Sequence, residues 1–144
     1  MSRFGWVITP LLRVTGLHTN ILVRYIMQDD PVQSGNATTL IDSLDVDRPG
    51  FITVISIIEL YWILTSCYGL RNDQVTQVMD ILLRARQIVV DRAEQVLRAL
   101  KVFETGKADF ADCLIECTAA SAGCEQTLAF DVNAARHAGM TLMR

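Results

Sequence analysis

Short apolar runs alternate along the chain with longer segments in which apolar residues recur every three or four positions. The short runs predict buried strands, and the longer spacing is typical of helices that bury one face. The predicted strands cover residues 13–17, 51–54, 88–90, 127–130 and 140–142. The predicted helices cover residues 21–27, 31–44, 56–67, 72–84, 91–105, 110–122 and 132–136. Strands that alternate with helices indicate βα units around a mostly parallel sheet, and therefore the α/β fold class.

Polar residues precede most of the predicted helices and are candidates for N-caps. Thr19 or Asn20 is expected to cap the first helix, Ser56 the third, Asn72 the fourth and Asp91 the fifth.

The length of 144 residues suits one domain with one core, and no internal repeat or low-complexity linker interrupts it. Residues 16–144 are predicted to form this domain. Residues 1–15 are predicted to be an N-terminal extension that includes the start of the first strand.

The charge balance changes which partners are expected. A net charge of −3 and a pI near 5.3 argue against binding nucleic acid through overall basicity. They do not exclude nucleic acid, because carboxylates that surround a metal ion count as negative but are neutralised by the cation.

The cysteines and the apolar segments indicate a cytoplasmic protein with no membrane span. The four cysteines contain no CxxC pair, so free thiols in a reducing compartment are favoured over a zinc site. No export signal is evident near the N-terminus, where Pro10 and Arg13 interrupt the apolar residues. The longest apolar stretch, residues 51–67, contains Glu59 and is shorter than a spanning helix requires.

Glu59 is the most informative single residue in the sequence. Its predicted helix is apolar on nearly every face and offers no cationic side chain one turn away. A buried carboxylate is costly unless it is paired, protonated or bound to a cation, so Glu59 is a candidate metal ligand. The alternative is a carboxylate that reaches solvent at the helix end or pairs with a distant arginine.

Other acidic residues lie where a parallel sheet would gather them. Asp109, Asp112 and Glu116 share one face near a predicted helix start, a position that also favours acidic residues for capping alone. Asp131 directly follows a predicted strand, and the first strand ends at His18. The carboxyl ends of strands in an α/β sheet face the crevice where ligands bind. The pattern therefore predicts one shared site.

Three segments carry a family resemblance. The runs GLHTNILVRYIMQDDP, FITVISIIELYWILTSCYGL and KADFADCLIECTAASAGCEQTLAFD resemble those of PIN-domain ribonucleases, and most of all the VapC-like toxins of toxin–antitoxin pairs. The likeness extends from Gly16 over nearly the whole chain. It implies a three-layer α/β/α fold with a central, mostly parallel sheet. It also implies Mg²⁺ or Mn²⁺ as cofactor, RNA as substrate, a homodimer, and an inhibitory antitoxin as partner.

The resemblance also assigns roles to individual residues. Glu59 matches the acid of the family's Glu-Leu helix, and Asp112 the Asp before an Ala-Leu-Ile-type run, here Cys-Leu-Ile. Asp131 matches the Asp of a late Thr-x-Asp motif, although Ala129 stands in the Thr position. Asp109 matches a further acidic position. The resemblance therefore implies a metal held by Glu59, Asp112 and Asp131, with Asp109 completing the catalytic set.

His18 stands where the family's first catalytic Asp is expected, with Thr19 and Asn20 as supporting residues. Imidazole removes one negative charge and is a ligand that Mg²⁺ disfavours. The alternative hypothesis is therefore a degenerate PIN domain that binds RNA or an antitoxin without cleavage. A third possibility is an acidic α/β protein unrelated to nucleases, either phosphatase-like or structural.

Three cations are candidate contacts for RNA phosphates, although each also fits an ordinary surface position. They are Arg24, Lys107 and Arg136.

Overall fold

The computed structural model describes residues 13–144, so most of the predicted N-terminal extension lies outside the described residues. The helices are α1 (Thr19–Met27), α2 (Pro31–Asp42), α3 (Val54–Trp62), α4 (Asn72–Arg84), α5 (Ala93–Glu104), α6 (Phe110–Ser121) and α7 (Val132–His137). The strands are β1 (Thr15–Gly16), β2 (Gly50–Ile52), β3 (Ile88–Val90), β4 (Leu128–Ala129) and β5 (Thr141–Leu142).

Every strand pairing in the described part of the chain is parallel. One sheet has the order β1-β2-β3, with Gly50 paired to Thr15 on one side and to Ile88 on the other. The second sheet pairs β4 with β5, so that Leu128 lies opposite Thr141. Helices connect the strands within each sheet, as parallel pairing requires. The predicted α/β class is confirmed, and the arrangement is consistent with a three-layer α/β/α fold.

Helix α3 begins earlier than the sequence predicted. The Thr53 hydroxyl accepts a hydrogen bond from the Ser56 N–H at 3.0 Å, so Thr53 is the N-cap and Val54 is already helical. The β-branched Val54 had favoured a longer strand, and Ser56 had looked like the cap. The prediction failed because the hydroxyl of Thr53 and that of Ser56 both suit an N-cap. Only tertiary packing decides at which residue β2 ends and α3 begins.

Two other predicted caps are also wrong. Asn72 is the first residue of α4 rather than its cap, and the Gln74 side chain accepts from the Arg71 N–H at 2.9 Å. Arg92, with φ of 53°, precedes α5 in place of Asp91. The extents of both helices were nevertheless close to prediction, because their apolar spacing is regular.

An aromatic cluster in the core joins three of the helices. The rings of Tyr61 on α3, Phe103 on α5 and Phe110 on α6 lie with centroids 5.3 to 5.8 Å apart. Phe103 and Phe110 are fully buried. Edge-to-face and tilted ring pairs of this kind add to the free energy gained by burying the rings. The cluster therefore fixes α3 and the start of α6 relative to one another.

Helix α3 buries only one of its two apolar faces. Ile57 and Leu60 lie in the core, whereas Ile55 and Trp62 are 74% and 59% exposed. Glu59 lies between the two exposed residues along the helix and is exposed as well. The expectation that Glu59 is buried was wrong, because an all-apolar pattern does not reveal which face packs inside the chain. Between residues 13 and 144, no helix combines the length and apolarity needed to span a membrane.

The aromatic cluster gives a test of the packing. Phe110→Ala is expected to lower the free energy of unfolding by about 3–5 kcal/mol, because it leaves a cavity beside Tyr61 and Phe103. Phe130→Ala is the matched control, since Phe130 is 75% exposed and its loss is expected to change stability by less than about 0.5 kcal/mol. Urea denaturation of both variants measures the difference. Equal destabilisation by the two substitutions would contradict this account of the core.

Candidate active site

The start of α6 presents two carboxylates. Asp109 is the N-cap, and its Oδ1 accepts a hydrogen bond from the Asp112 N–H at 3.1 Å. Asp112 itself lies in the first turn and is half-buried. A helix N-terminus carries unpaired N–H groups and a partial positive charge, which favour negative side chains at both positions.

The start of α7 presents a third carboxylate. Oδ1 of Asp131 accepts from the N–H groups of Asn133 at 2.8 Å and Ala134 at 3.2 Å. The Asn133 side chain donates to the Lys107 carbonyl at 3.3 Å, which ties the start of α7 to the loop before α6. This contact brings Asp131 toward Asp112 although 19 positions separate them in the sequence.

Asp112 feels the charges of both neighbours. Partial burial raises the pKa of Asp112, and the negative charges of Asp109 and Asp131 raise it further. Like charges that share a site disfavour ionisation of one of them. The three residues therefore form one interacting group, which we call the Asp109–Asp112–Asp131 cluster. A bound cation would remove the repulsion that this cluster contains.

Neutral side chains line the inner side of this cluster. Burial raises the pKa of Tyr61, and the charge of Asp109 raises it further. Burial raises the pKa of the Cys113 thiol to about 11, so it is protonated at neutral pH and is a poor nucleophile. Cys113 therefore adds no negative charge to the Asp109–Asp112–Asp131 cluster at neutral pH.

His18 takes the place of a cap that the sequence assigned to Thr19 or Asn20. Its Nδ1 accepts a hydrogen bond from the Asn20 N–H at 3.1 Å, and α1 begins at Thr19. The cap therefore uses the lone pair of Nδ1 and leaves Nε2 free of it. The His18 ring is exposed, while Thr19 is buried, and its hydroxyl makes no hydrogen bond within residues 13–144.

The remaining predicted ligand, Glu59, lies on α3, which packs against both α1 and α6. Among the described residues, no three His, Cys, Asp or Glu side chains form a preassembled metal-binding group. The donor chemistry still fits a hard divalent cation, because Mg²⁺ commonly takes one or two protein carboxylates and keeps several waters. The described residues therefore supply enough carboxylates for such an ion, but these carboxylates do not already surround one position.

The three candidate cations differ in their surroundings. The Arg24 guanidinium donates from Nε to Gln33 Oε1 at 2.8 Å and from an Nη to Asp29 Oδ1 at 3.1 Å. Tyr68, distant in sequence, donates to the other oxygen of Asp29 at 2.5 Å. Neither Asp29 nor Tyr68 was identified from the sequence, which carries no signal for a contact across 39 positions. Lys107 precedes the residues of the Asp109–Asp112–Asp131 cluster in the sequence, and Arg136 follows them. Both side chains are exposed.

The described chain is a parallel α/β domain with carboxylates at the starts of α6 and α7. The sequence matches the PIN domain family over residues 17–140, and the chain therefore belongs to that family. PIN domains are generally a nuclease fold and typically use divalent metal ions. No curated protein and no solved structure matches the chain significantly.

The raised pKa of Asp112 predicts how stability depends on pH without metal. The folded state holds the Asp112 proton more tightly than the unfolded chain, so stability is lost as pH rises from the ordinary Asp pKa to the raised folded value. Asp112→Asn removes this loss. In EDTA, the variant is expected to melt at a higher temperature than the wild type at pH 7, with the difference vanishing near pH 3.

Asp47→Asn is the matched control for this comparison, because Asp47 is exposed in the loop before β2. It is expected to leave the melting temperature unchanged across the same range. An Asp112→Asn variant that melts lower than the wild type at pH 7 would contradict the like-charge interpretation of the cluster.

Proposed function

We propose that this chain is a metal-dependent endoribonuclease of the VapC-like toxin type, which hydrolyses phosphodiester bonds in RNA. The observation that carries the proposal is the Asp109–Asp112–Asp131 cluster, in which burial and then the charges of Asp109 and Asp131 raise the pKa of Asp112. Retaining that repulsion costs stability, and such a cost is typical of functional sites.

Within this proposal, Asp112 holds Mg²⁺ or Mn²⁺ together with Asp131 or Asp109, and Glu59 contributes from α3 directly or through water. The caps of α6 and α7 use Oδ1 of Asp109 and Asp131, which leaves Oδ2 of each to face a cation. The bound ion would supply an activated water and stabilise charge developing on the phosphate. In-line attack leaves a 5′-phosphate and a 3′-hydroxyl. Lys107 and Arg136 are the proposed phosphate contacts.

His18 lowers the activity that this site can reach with Mg²⁺. Its Nδ1 is already occupied by the cap of α1, and the ring brings no negative charge. Coordination through Nε2 would require the proton to leave that nitrogen. Mn²⁺ accepts imidazole more readily than Mg²⁺ does, so activity is expected to be less impaired with Mn²⁺.

The same observation favours a second candidate function. The His18 ring caps α1 and supplies no carboxylate to the site. This favours a PIN domain that still binds RNA or an antitoxin but no longer cleaves RNA. A short neighbouring gene for a DNA-binding antitoxin would support a toxin-type system in either case. The free cysteines fit a reducing cytoplasm, where we propose that the protein acts.

Substitution of His18 distinguishes the two functions. His18→Asp restores a carboxylate that also caps α1, and His18→Asn is the matched control because Asn caps as well as Asp but adds no charge. We expect His18→Asp to bind Mg²⁺ and to cleave single-stranded RNA about tenfold better than His18→Asn, or more. The assay follows end-labelled RNA in Mg²⁺, in Mn²⁺ and in EDTA.

If the Asp and Asn variants bind Mg²⁺ equally and neither cleaves, the cleavage function is wrong, and the binding function replaces it. Cleavage that persists in EDTA would instead contradict the role of the metal.

A homodimer is also part of the proposal. Val32 on α2 and Ile81 on α4 are more than half exposed. Apolar side chains exposed on the helices of a domain this small favour a protein interface. The early helices and α4 are therefore the proposed contact surfaces.

Analytical ultracentrifugation tests this assembly. We expect a dimer at micromolar concentration, because pairing removes the exposed apolar faces from water. Ile81→Glu is expected to shift the equilibrium toward monomer, since burial of an unpaired charge opposes association. Val46→Glu is the matched control, because Val46 is exposed in a loop outside these helices and its change should have no effect. Only monomer in the wild type would contradict the proposal.

A further inference from the structure

A cavity of about 360 Å³ with both polar and apolar lining lies between α1 and α2. Its polar wall is formed by Asn20, Arg24, Gln33 and Asn36, and its apolar lining includes Ala37 and Leu40. Asn20 lies two residues after His18, so one end of the cavity is beside the first-strand position of the candidate active site. The volume is within the range of small-molecule sites.

The guanidinium of Arg24 is held in a fixed orientation in this wall. Gln33 accepts from its Nε at 2.8 Å, and Asp29 accepts from an Nη at 3.1 Å. Tyr68 Oη lies 3.4 Å from that same Nη and donates to Asp29 in turn. Because Asp29 balances the charge of Arg24, the guanidinium is expected to bind a free anion only weakly. Its rigid plane is of the kind on which nucleobases stack.

Two carboxamides in the same wall have unused hydrogen-bonding capacity. Within residues 13–144, the side chains of Asn20 and Asn36 make no hydrogen bond, and both residues are exposed. A carboxamide offers two donors and one acceptor. The edges of nucleobases present donors and acceptors at matching spacing, and Asn and Gln read them in this way in nucleic-acid complexes.

We propose that this cavity binds one nucleobase of single-stranded RNA, adjacent to the phosphate that the active site attacks. The base stacks on the Arg24 guanidinium and donates to or accepts from the carboxamides of Asn20 and Asn36. The substrate class rests on the proposed ribonuclease function, whereas the pocket and its chemistry rest on the residues between α1 and α2. Such a pocket would give the enzyme a preference for the base at one position.

The test uses the full chain in EDTA, where cleavage plays no part. The four ribonucleoside 5′-monophosphates are titrated separately while the side-chain amide signals of Asn20, Gln33 and Asn36 are followed by ¹H–¹⁵N NMR. We expect saturable shifts of these signals, with affinities that differ between the bases by about threefold or more. The amides of Asn72 and Gln77 on α4 serve as remote probes and should not move. Inorganic phosphate alone should leave all five signals in place.

A variant isolates the contribution of the cavity. Asn36→Ala is expected to weaken binding of the preferred nucleotide about tenfold, the effect of losing a carboxamide contact to a base. Asn72→Ala is the matched control and should bind as the wild type does. Unchanged thermal melting of both variants verifies that each is folded.

The outcomes separate this inference from the proposed function. Nucleotide binding without RNA cleavage by any variant supports the pocket and counts against the ribonuclease. RNA cleavage without shifts at Asn20, Gln33 and Asn36 overturns the pocket alone. Equal shifts with inorganic phosphate, or binding at this cavity by an antitoxin peptide in place of nucleotides, would also overturn it.

Discussion

Hydrogen bonds from side chains to the exposed N–H groups at helix starts determine much of this structure. His18, Thr53, Asp109 and Asp131 each accept such a bond, and Thr53 does so directly after β2. Unpaired N–H groups at a helix start must find acceptors, and short polar side chains provide them at little entropic cost. Asp109 and Asp131 are carboxylates. The hydrogen bonds that cap α6 and α7 therefore also orient two acids of the candidate site.

The same caps place the acids in electrostatic conflict. Asp112 lies inside the first turn of α6, where partial burial raises its pKa and the two capping carboxylates raise it further. The fold tolerates this repulsion because the helix N-terminus stabilises negative charge and because the aromatic cluster of Tyr61, Phe103 and Phe110 holds the helices in place. His18 contributes a neutral acceptor at the start of α1, so its cap adds no further negative charge. The chain matches the PIN domain family over residues 17–140 and begins α1 with a histidine cap.

The sequence predicted features that depend on periodicity and strand ends. The bounds of α4 and the positions of Asp109 and Asp131 next to α6 and α7 followed from apolar spacing and from polar residues beside apolar runs. It did not predict that Glu59 is exposed, because both faces of α3 are apolar and only tertiary packing selects the buried one. Nor did it predict the Asp29–Tyr68 contact, which depends on how distant helices meet. The cap by His18 was missed because imidazole is an uncommon acceptor at this position.

Paramagnetic broadening by Mn²⁺ tests whether the Asp109–Asp112–Asp131 cluster binds a divalent cation, as we propose. Substoichiometric Mn²⁺ is added to ¹⁵N-labelled protein, and backbone amide signals are followed with and without competing Mg²⁺. We predict that the amides of Asp112, Cys113, Asn133 and Ala134 broaden first and that excess Mg²⁺ restores them. Broadening centred on the exposed acids of the loop at Asp45 and Asp47, with the starts of α6 and α7 unaffected, would contradict the account.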